Sequence, residues 1–371
     1  MPGIVVVGNP DNRRVRLFAA AVVRAGLAEP RVIAWRQVAG DASGVSIDLG
    51  GTPLGLVAGE LVRIESPGED AEVDRLLRGA PVPAEHGEIV GLADWYRGFA
   101  VALARIGAAA ARAGARLLTD PEEVLVMGDK RACHARLSGA GVPVPPALPQ
   151  VHGYRELRAA MADAGWSRVF VKPAYGSSAS GVLALAVRGR SAGVREVRAT
   201  TSVELVPGTG GPRLYNCLRV RHYADEAAIA SIVDNLAPDG LQVERWYPKA
   251  ALAGRVLDLR VVVVAGRATH AVARCSRSPM TNLHLGGTRG ELAAVRAAAG
   301  PQYDAALRTC EAVAGCFPRS SQVGVDLMFA ANWRGHAVAE VNAFGDLLPG
   351  LLVAGRDTYD EQVAALARVA G

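Results

Sequence analysis

The segment HAVAEVN, residues 336–342, has the pattern of a buried strand, yet it carries two polar residues near its end. Side chains alternate between the two faces of a strand, so Glu340 and Asn342 share one face and Val341 takes the other. A carboxylate on a buried strand is costly unless it is paired or binds a metal ion. Taken alone, the pattern also suits a strand that ends in solvent, with a turn beginning at Gly345.

The preceding strand-like run, residues 323–330, adds a second carboxylate, Asp326. Two carboxylates and an amide oxygen on adjacent strands are hard ligands of the kind that hold Mg²⁺ between ATP phosphates. The seven histidines offer no rival metal site, because none falls in a His-x-x-x-His pair. The acidic residues therefore raise the hypothesis of a magnesium site.

The composition narrows the class of protein. With 371 residues, half of them apolar and 21% charged, the chain is long enough for two or three soluble domains. No run of about 18 uncharged apolar residues predicts a membrane helix, and MPGIVVVG at the start predicts a strand rather than a signal peptide. The five scattered cysteines favour free thiols in the cytoplasm. Basic residues are dispersed, which argues against nucleic acid as a partner.

Lysine is rare in this chain. Of 41 basic residues only three are lysines, namely Lys130, Lys172 and Lys249. An ammonium and a guanidinium differ in geometry and hydration. We expect the remaining lysines to mark places that need a compact cation on a flexible stem, the alternative being three chance survivors on the surface.

Strand and helix patterns are mixed without strict alternation, which predicts α+β packing. The opening segment is βαβ-like, with Asp11 or Asn12 as the helix cap, but it lacks Gly-x-Gly-x-x-Gly. Residues 41–68 are Gly-rich and weakly patterned. The predicted strands are 3–8, 31–35, 168–173, 182–187, 203–206, 214–222, 241–247, a hairpin at 256–275, 323–330 and 336–342. The predicted helices are 13–26, 91–115, a short one at the start of 121–146, a second there from about 129, 155–165, 226–236, 302–316 and 357–369.

The segment VFVKPAYGSSASGVLAL places Lys172 at the end of a strand, followed by small residues from Gly176 to Gly181. Glycine and serine let backbone N–H groups approach an anion closely, and the lysine adds a point charge. The loop is not a Walker A motif. It predicts a phosphate-binding loop, and a merely flexible hairpin would have the same composition.

Two further segments carry candidate chemistry. LQVERWYP reads as a strand ending at Pro248, which offers backbone groups to an adenine edge or is simply an edge strand. In the following hairpin Asp258 and Arg260 share a face, and Arg274 ends the returning strand. Two converging arginines suit a phosphoryl or carboxylate clamp. The alternative is an Asp–Arg pair on a solvated face.

In their order along the chain these motifs resemble the ATP-grasp superfamily, over about residues 120–350. The resemblance is strongest to the branch of ribosomal-protein glutamate ligases and glutathione synthetases, within a bacterial subgroup. It rests on Lys130, the Lys172 loop, ERWYP, Asp258-Leu-Arg260, Arg274, Asn282, Asp326 and Glu340-Val-Asn342. It implies an ATP-grasp fold with a Rossmann-like pre-ATP-grasp domain at 1–120, a lid subdomain at 121–240 and a C-terminal subdomain at 241–371.

The resemblance also implies ATP and one or two Mg²⁺ ions, with Mn²⁺ as an alternative metal. The implied ATP-binding residues are Lys130, Lys172, Gly176, Ser177, Ser178, Ser180, Gly181, Glu244, Arg245, Tyr247 and Lys249. The implied metal ligands are Asp326, Glu340 and Asn342, the catalytic residues are Arg260 and Arg274, and the substrate residues are Asn282, His284 and Asp346. Lys249 departs from the family pattern, because many relatives place an acid there for the ribose hydroxyls.

The implied reaction is ligation of a carboxylate to an amine or a thiol. The carboxylate attacks the γ-phosphate of ATP, and the nucleophile then displaces phosphate from the acyl phosphate. The alternatives are an ATP-grasp kinase acting on a hydroxyl and a non-catalytic ATP-binding regulator. The expected substrates are small molecules or peptides, with neither nucleic acid nor membrane as partner, and a homo-oligomer remains open.

Overall fold

The computed structural model describes residues 3–40, 53–176, 180–189, 195–208 and 210–370. These residues form three sheets flanked by helices, which confirms the α+β class. No helix within the described ranges is both long and apolar enough to cross a membrane.

The first sheet is parallel, with the strand order β2-β1-β3-β4. Its central strand, IVVV, is buried throughout, as expected for a parallel strand with helices on both faces. The side chain of Asn12 accepts a hydrogen bond from the Arg14 amide and so caps the first helix. The elements are β1 (Ile4–Val7), α1 (Arg13–Arg24), β2 (Arg31–Ile33), α2 (Trp35–Gly40), β3 (Leu61–Ile64), α3 (Ala71–Arg78), α4 (Leu92–Ala113) and β4 (Arg116–Leu117).

The second sheet is antiparallel, with the order β8-β7-β6-β5-β9. Val169 and Val171 point into a core formed with α7 and α8, so Phe170 and Lys172 face the opposite side. The strand Leu241–Arg245, which begins the predicted C-terminal subdomain at 241–371, pairs with β5 in this sheet. The elements are α5 (Pro121–Gly128), α6 (Lys130–Gly139), α7 (Tyr154–Asp163), β5 (Arg168–Pro173), β6 (Leu183–Gly189), β7 (Arg195–Val206), β8 (Arg213–Tyr223), α8 (Glu226–Leu236) and β9 (Leu241–Arg245).

The third sheet has the order β13-β12-β11-β14-β15, with β10 paired to β11. Leu257 and Leu259 of β11 share a core with Cys310 of α10, so Asp258 and Arg260 face the other side. The elements are β10 (Ala251–Leu252), β11 (Arg255–Val264), β12 (Arg267–Ser276), β13 (Thr288–Gly290), α9 (Leu292–Ala299), α10 (Pro301–Gly315), β14 (Gln322–Phe329), β15 (His336–Asn342) and α11 (Thr358–Ala370).

Most predicted elements agree with the structure to within a few residues at their ends, although β7 begins eight residues before the predicted strand and several short elements, such as β3, α3 and α9, were missed. β3 lies inside the weakly patterned region, has only four residues and carries a charge, Arg63. A charge in a short apolar run hides the strand from pattern analysis. Arg63 is nevertheless buried, because the tertiary structure supplies acidic partners.

Helices α3 and α4 touch backbone to backbone at Gly98. A Cβ atom built at Gly98 would lie 1.9 Å from the Leu77 carbonyl oxygen, a distance that no packing tolerates. Further along the same helix, a Cβ atom at Gly107 would make ordinary contact with Pro121, at 3.5 Å. A side chain at Gly98 would therefore force α3 and α4 apart, whereas one at Gly107 would fit.

We predict that Gly98→Ala lowers the free energy of unfolding by about 1–3 kcal/mol, because α3 and α4 must separate. Gly107→Ala is the matched control, and it should raise that free energy by about 0.5–1 kcal/mol, the helix preference for alanine. Urea denaturation followed by circular dichroism measures both. Equal effects at the two positions would contradict the proposed backbone contact.

Candidate active site

A cleft lies between the second and third sheets. The second sheet contributes Phe170 and Lys172 from β5, and the third contributes Asp326 from β14 and Glu340 from β15. Asp326 and Glu340 lie directly opposite each other on antiparallel strands. All three lysines of the chain line this cleft, which argues against chance survivors on the surface.

Lys172 joins the two sheets. Its Nζ donates to Oε2 of Glu244 at 2.7 Å and to the carbonyl oxygen of Ala339, on β15, at 3.2 Å. Burial by itself would lower the pKa of Lys172, but the Glu244 and Glu340 carboxylates reverse this and raise it. The lysine is therefore a fixed cation at the centre of the cleft.

Lys130, the first residue of α6, reaches the small-residue loop. Its Nζ donates to the carbonyl oxygen of Gly176 at 2.6 Å and lies 3.6 Å from Oε1 of Glu340. The same ammonium thus contacts the loop of the second sheet and the acidic strand of the third. A bound phosphate between these elements would meet two lysines, Lys130 and Lys172.

The small-residue loop is only partly described. Ser177 and Ser178, two of the predicted phosphate-binding residues, lie outside the described residues, whereas Ser180 lines the cleft. Gly181 has a φ of +73°, and a Cβ atom there would lie 2.5 Å from Cγ of Pro173. Glycine is required at this end of the loop for both reasons.

Lys249 has different partners from the other two lysines. Its Nζ lies 3.4 Å from Oδ2 of Asp258 and 3.2 Å from the Thr281 hydroxyl. Burial lowers the pKa of Lys249, and the Asp258 carboxylate offsets this only in part. The position that many relatives fill with an acid here holds a cation paired to a carboxylate.

Apolar side chains form part of the cleft lining. Phe170 and Val182 come from the second sheet, and Met280 and Met328 come from the third. Such walls suit the flat, apolar faces of a purine ring.

The hinge segment that contains Glu244, Arg245 and Tyr247 also lines the cleft. The Arg245 amide donates to the Pro146 carbonyl at 2.8 Å, so it is not available to an adenine edge. The Trp246 amide is likewise used, by the Arg168 carbonyl. The predicted adenine contact therefore shifts toward Tyr247.

A row of alternating charges crosses the third sheet. Arg274 Nε donates to Asp258 Oδ1 at 2.8 Å, and its Nη2 lies 3.0 Å from Asp326 Oδ1. Arg260 Nη2 donates to Asp326 Oδ2 at 2.9 Å. Burial would raise the pKa of Asp326, but Arg260 and Arg274 lower it far below its usual range. The two predicted catalytic arginines are therefore held together by one ionised carboxylate.

The metal ligands Asp326, Glu340 and Asn342 stay a prediction; their side-chain oxygens are of the kind that binds Mg²⁺ together with phosphates. Asp326 and Glu340 face each other, and Asn342 lies two residues further along β15, opposite Gly324 of β14. The Asn342 Nδ2 is buried without a partner in the part of the chain that the structure describes. Across the same residues, no group of three or more His, Cys, Asp or Glu side chains could hold a metal. Mg²⁺ typically uses one or two carboxylates and completes its shell with phosphate oxygens and water.

The three predicted substrate residues end up in different places. Asn282 lines the cleft, and His284 is exposed on the same loop. Asp346 lies away from the cleft, 1% exposed, with its carboxylate oxygens bonded to Arg14, Arg63 and Gln362. This burial argues against the predicted substrate contact of Asp346.

Sequence reasoning missed Thr281 and Met280, which line the cleft beside Asn282. Met280 packs with Val182 and Leu285 in a small apolar cluster, and thereby holds the loop of the third sheet against the second. The sequence identifies PMTNLHLGG as a turn-rich segment. It has no periodicity that would show which of its residues face the cleft.

Comparison of the sequence with protein-family models gives no match, and comparison with curated proteins gives none either. Comparison with solved structures gives matches. The ATP-grasp ligase PsnB, complexed with a minimal precursor, has 18% sequence identity and a TM-score of 0.56, and the match covers 99% of each chain. PsnB with Mg, ADP and a precursor variant matches with 17% identity and a TM-score of 0.52, over 100% of this chain and 99% of that one.

Two other enzymes match over the whole chain. The D-cycloserine synthetase DcsG has 17% identity and a TM-score of 0.56, with 100% of each chain covered. The macrocyclase MdnC of Microcystis aeruginosa MRC, bound with the precursor peptide MdnA, has 12% identity and a TM-score of 0.55, covering 99% of this chain and 100% of that one. At these identities the likeness concerns the fold. The chain has the ATP-grasp fold, as the sequence resemblance implied.

We predict that Lys172→Met lowers the free energy of unfolding by about 3–5 kcal/mol, because it leaves the buried Glu244 carboxylate without its partner. The double variant Lys172→Met/Glu244→Gln should recover most of this loss. Urea denaturation of the two single variants, the double variant and the parent gives the coupling. Simple additivity of the two single effects would contradict the ion pair.

Proposed function

We propose that this chain is an ATP-dependent ligase that activates a substrate carboxylate as an acyl phosphate and joins it to an amine or a thiol. The observation that carries the proposal is the convergence of three lysines, Arg274 and two facing carboxylates on one cleft of an ATP-grasp fold, with Arg260 paired to one of those carboxylates, Asp326. A regulator that only binds ATP has no need for paired arginines fixed on a buried carboxylate.

In this proposal the adenine ring lies between Phe170 and Val182 on one side and Met328 on the other. The triphosphate extends toward Lys130 and Lys172, beneath the loop that ends at Gly181. The direction follows from the residue types that line the cleft, since apolar side chains suit the ring and ammonium groups suit the phosphates. Lys249, Asp258 and Thr281 then lie beside the ribose, where they offer both donors and acceptors.

Mg²⁺ bound at this site would neutralise phosphate charge and draw electron density from the γ-phosphoryl group. Asp326, Glu340 and Asn342 are the residues that would hold it, through their side-chain oxygens. Lys130, 3.6 Å from Glu340, keeps that carboxylate close to the small-residue loop.

Arg260 and Arg274 are the catalytic residues in this proposal. Attack of a carboxylate oxygen on the γ-phosphoryl forms a new O–P bond, breaks the bond to ADP and spreads negative charge over the equatorial oxygens. Two guanidinium groups already held by Asp326 can bind that charge without reorganisation. The nucleophile then attacks the acyl carbon and phosphate leaves, with the small-residue loop excluding water.

Each of the two substrates in this proposal, the carboxylate and the nucleophile, is either a peptide or a small molecule. PsnB and MdnC were solved with precursor peptides, and DcsG is a D-cycloserine synthetase, so enzymes of this fold serve both kinds of substrate. We expect this chain to act in the cytoplasm, where ATP and magnesium are plentiful.

The predicted metal site has only two carboxylates, Asp326 and Glu340. We therefore predict that the metal and the nucleotide bind together. Isothermal titration of the protein with Mg²⁺ alone should give little or no heat of binding, whereas Mg²⁺ in the presence of ADP should bind at least about tenfold tighter, since phosphate oxygens complete its shell. Glu340→Gln should remove most of this gain. Tight Mg²⁺ binding without ADP would mean that the metal site is elsewhere.

The reaction itself is tested by ADP release with Mg-ATP across a panel of carboxylic acids, with and without hydroxylamine. A hydroxamate formed from one acid would identify the activated carboxylate. With that acid, Glu340→Gln should slow ADP release by about 100-fold or more. Glu72→Gln, on the surface of α3, is the control and should leave the rate unchanged. ADP release without hydroxamate would favour phosphorylation of a hydroxyl over carboxylate activation.

A further inference from the structure

The loop after β15 contains a carboxylate that the reaction as described does not use. Asp346 is 1% exposed and follows Asn342 by four residues. Its Oδ1 accepts from Arg14 of α1 at 3.0 Å, and its Oδ2 accepts from Arg63 of β3 at 2.8 Å and from Gln362 of α11 at 3.0 Å. One side chain thus ties this loop to three other elements.

The charges around Asp346 are balanced. Arg63 Nη2 also lies 2.9 Å from Oε2 of Glu65, so two arginines face two carboxylates in a buried group. Burial would raise the pKa of Asp346, but Arg63 and Arg14 lower it, which keeps this carboxylate ionised. We call Arg14, Arg63, Glu65, Asp346 and Gln362 the Asp346 cluster.

A buried ionic group of this kind contributes little net stability, because desolvation offsets most of the attraction between the charges. What it does impose is geometry, since each carboxylate must keep its partners or be left as an unpaired buried charge. The Asp346 cluster therefore fixes the position of the loop relative to the first sheet.

The neighbouring residue transmits that position to the site. The carbonyl oxygen of Gly345 accepts from Nη1 of Arg260 at 3.2 Å, while the other nitrogens of this guanidinium hold Asp326. The loop also packs directly on β14, because a Cβ atom at Gly324 would lie 2.6 Å from Cα of Gly345. A shift of Asp346 would move the carbonyl group that orients Arg260.

We propose that Asp346 is a positioning residue for Arg260, and that through it the first sheet sets the orientation of the guanidinium that meets the transferring phosphoryl group. This inference rests on the proposed function, since it assigns a phosphoryl group to Arg260. Asp346 itself touches neither nucleotide nor metal in this arrangement. Its loss should therefore impair recognition of the transferring group while leaving the binding of ADP intact.

The test compares the affinity for Mg-ADP alone with that for Mg-ADP plus aluminium fluoride, which imitates the phosphoryl group in the transition state of its transfer. Asp346→Asn should weaken binding of the aluminium fluoride complex by about tenfold or more, because a misplaced guanidinium no longer meets it. Binding of Mg-ADP alone should stay within about twofold of the parent, because the proposal assigns Arg260 to the transferring phosphoryl group and not to ADP. Isothermal titration gives both constants.

The matched control is Glu65→Gln. It removes one negative charge from the same cluster and from the same Arg63, but it does not touch the loop. Both variants should lower the unfolding temperature, and only Asp346→Asn should weaken the aluminium fluoride complex. If Glu65→Gln weakened that complex equally, or if Asp346→Asn left it unchanged, the positioning role would be overturned.

A double-mutant cycle with Arg260→Met sharpens the result. If Asp346 acts through Arg260, then Asp346→Asn has no further effect once Arg260 is gone, whereas independent effects would multiply. Should Asp346→Asn fail to fold, Arg14→Met loosens the same carboxylate from a partly exposed partner and should give a smaller effect of the same kind.

Failure of the proposed function has a different signature. A parent protein that binds no Mg-ADP, or that gains nothing from aluminium fluoride, would overturn the assignment of the cleft and this inference with it. A parent that behaves as expected, with Asp346→Asn indistinguishable from it, would overturn the role of Asp346 alone.

Discussion

The carboxylate of Asp326 is the charge on which the rest of the cleft depends. It lies on β14, a strand buried along its whole length, and guanidinium groups from β11 and β12 converge on it. A buried charge must be paired, and two arginines left without this carboxylate would repel each other. The pairing holds Arg260 and Arg274 in place before any ligand binds. It is this preorganisation that makes the cleft suited to a developing negative charge.

The second constraint is that the cleft is formed by two sheets that do not pair with each other in the described part of the chain. Lys172 bridges them by hydrogen bonds to Glu244 and to the backbone of β15, and Met280 bridges them by apolar contact with Val182. A lysine stem is long and flexible enough to span the gap, and these two hydrogen bonds leave one of its three N–H donors for an anion. The scarcity of lysine elsewhere in the chain is consistent with these demands.

Much of the site was legible in the sequence because it depends on alternation along single strands. Glu340 with Asn342, and Asp258 with Arg260, share faces as the two-residue rule predicts. Partners across strands were a different matter. Asp258 pairs with Arg274 instead of Arg260, because the hairpin register sets them opposite each other. Register depends on turn length and on bulges, and β12 and β15 each carry a bulge, at Thr269 and Ala339.

The sequence by itself determined the class of fold, the long elements and the residue types that a magnesium nucleotide requires. Tertiary structure alone decided that Asp346 is a buried tie instead of a substrate contact, and that Arg63 sits in a buried strand. Both depend on partners more than 280 residues away in the chain, and no local pattern records such pairs. From the sequence alone a charged residue is predicted to be exposed, because its burial requires a partner of opposite charge, and only the tertiary structure shows whether that partner is present.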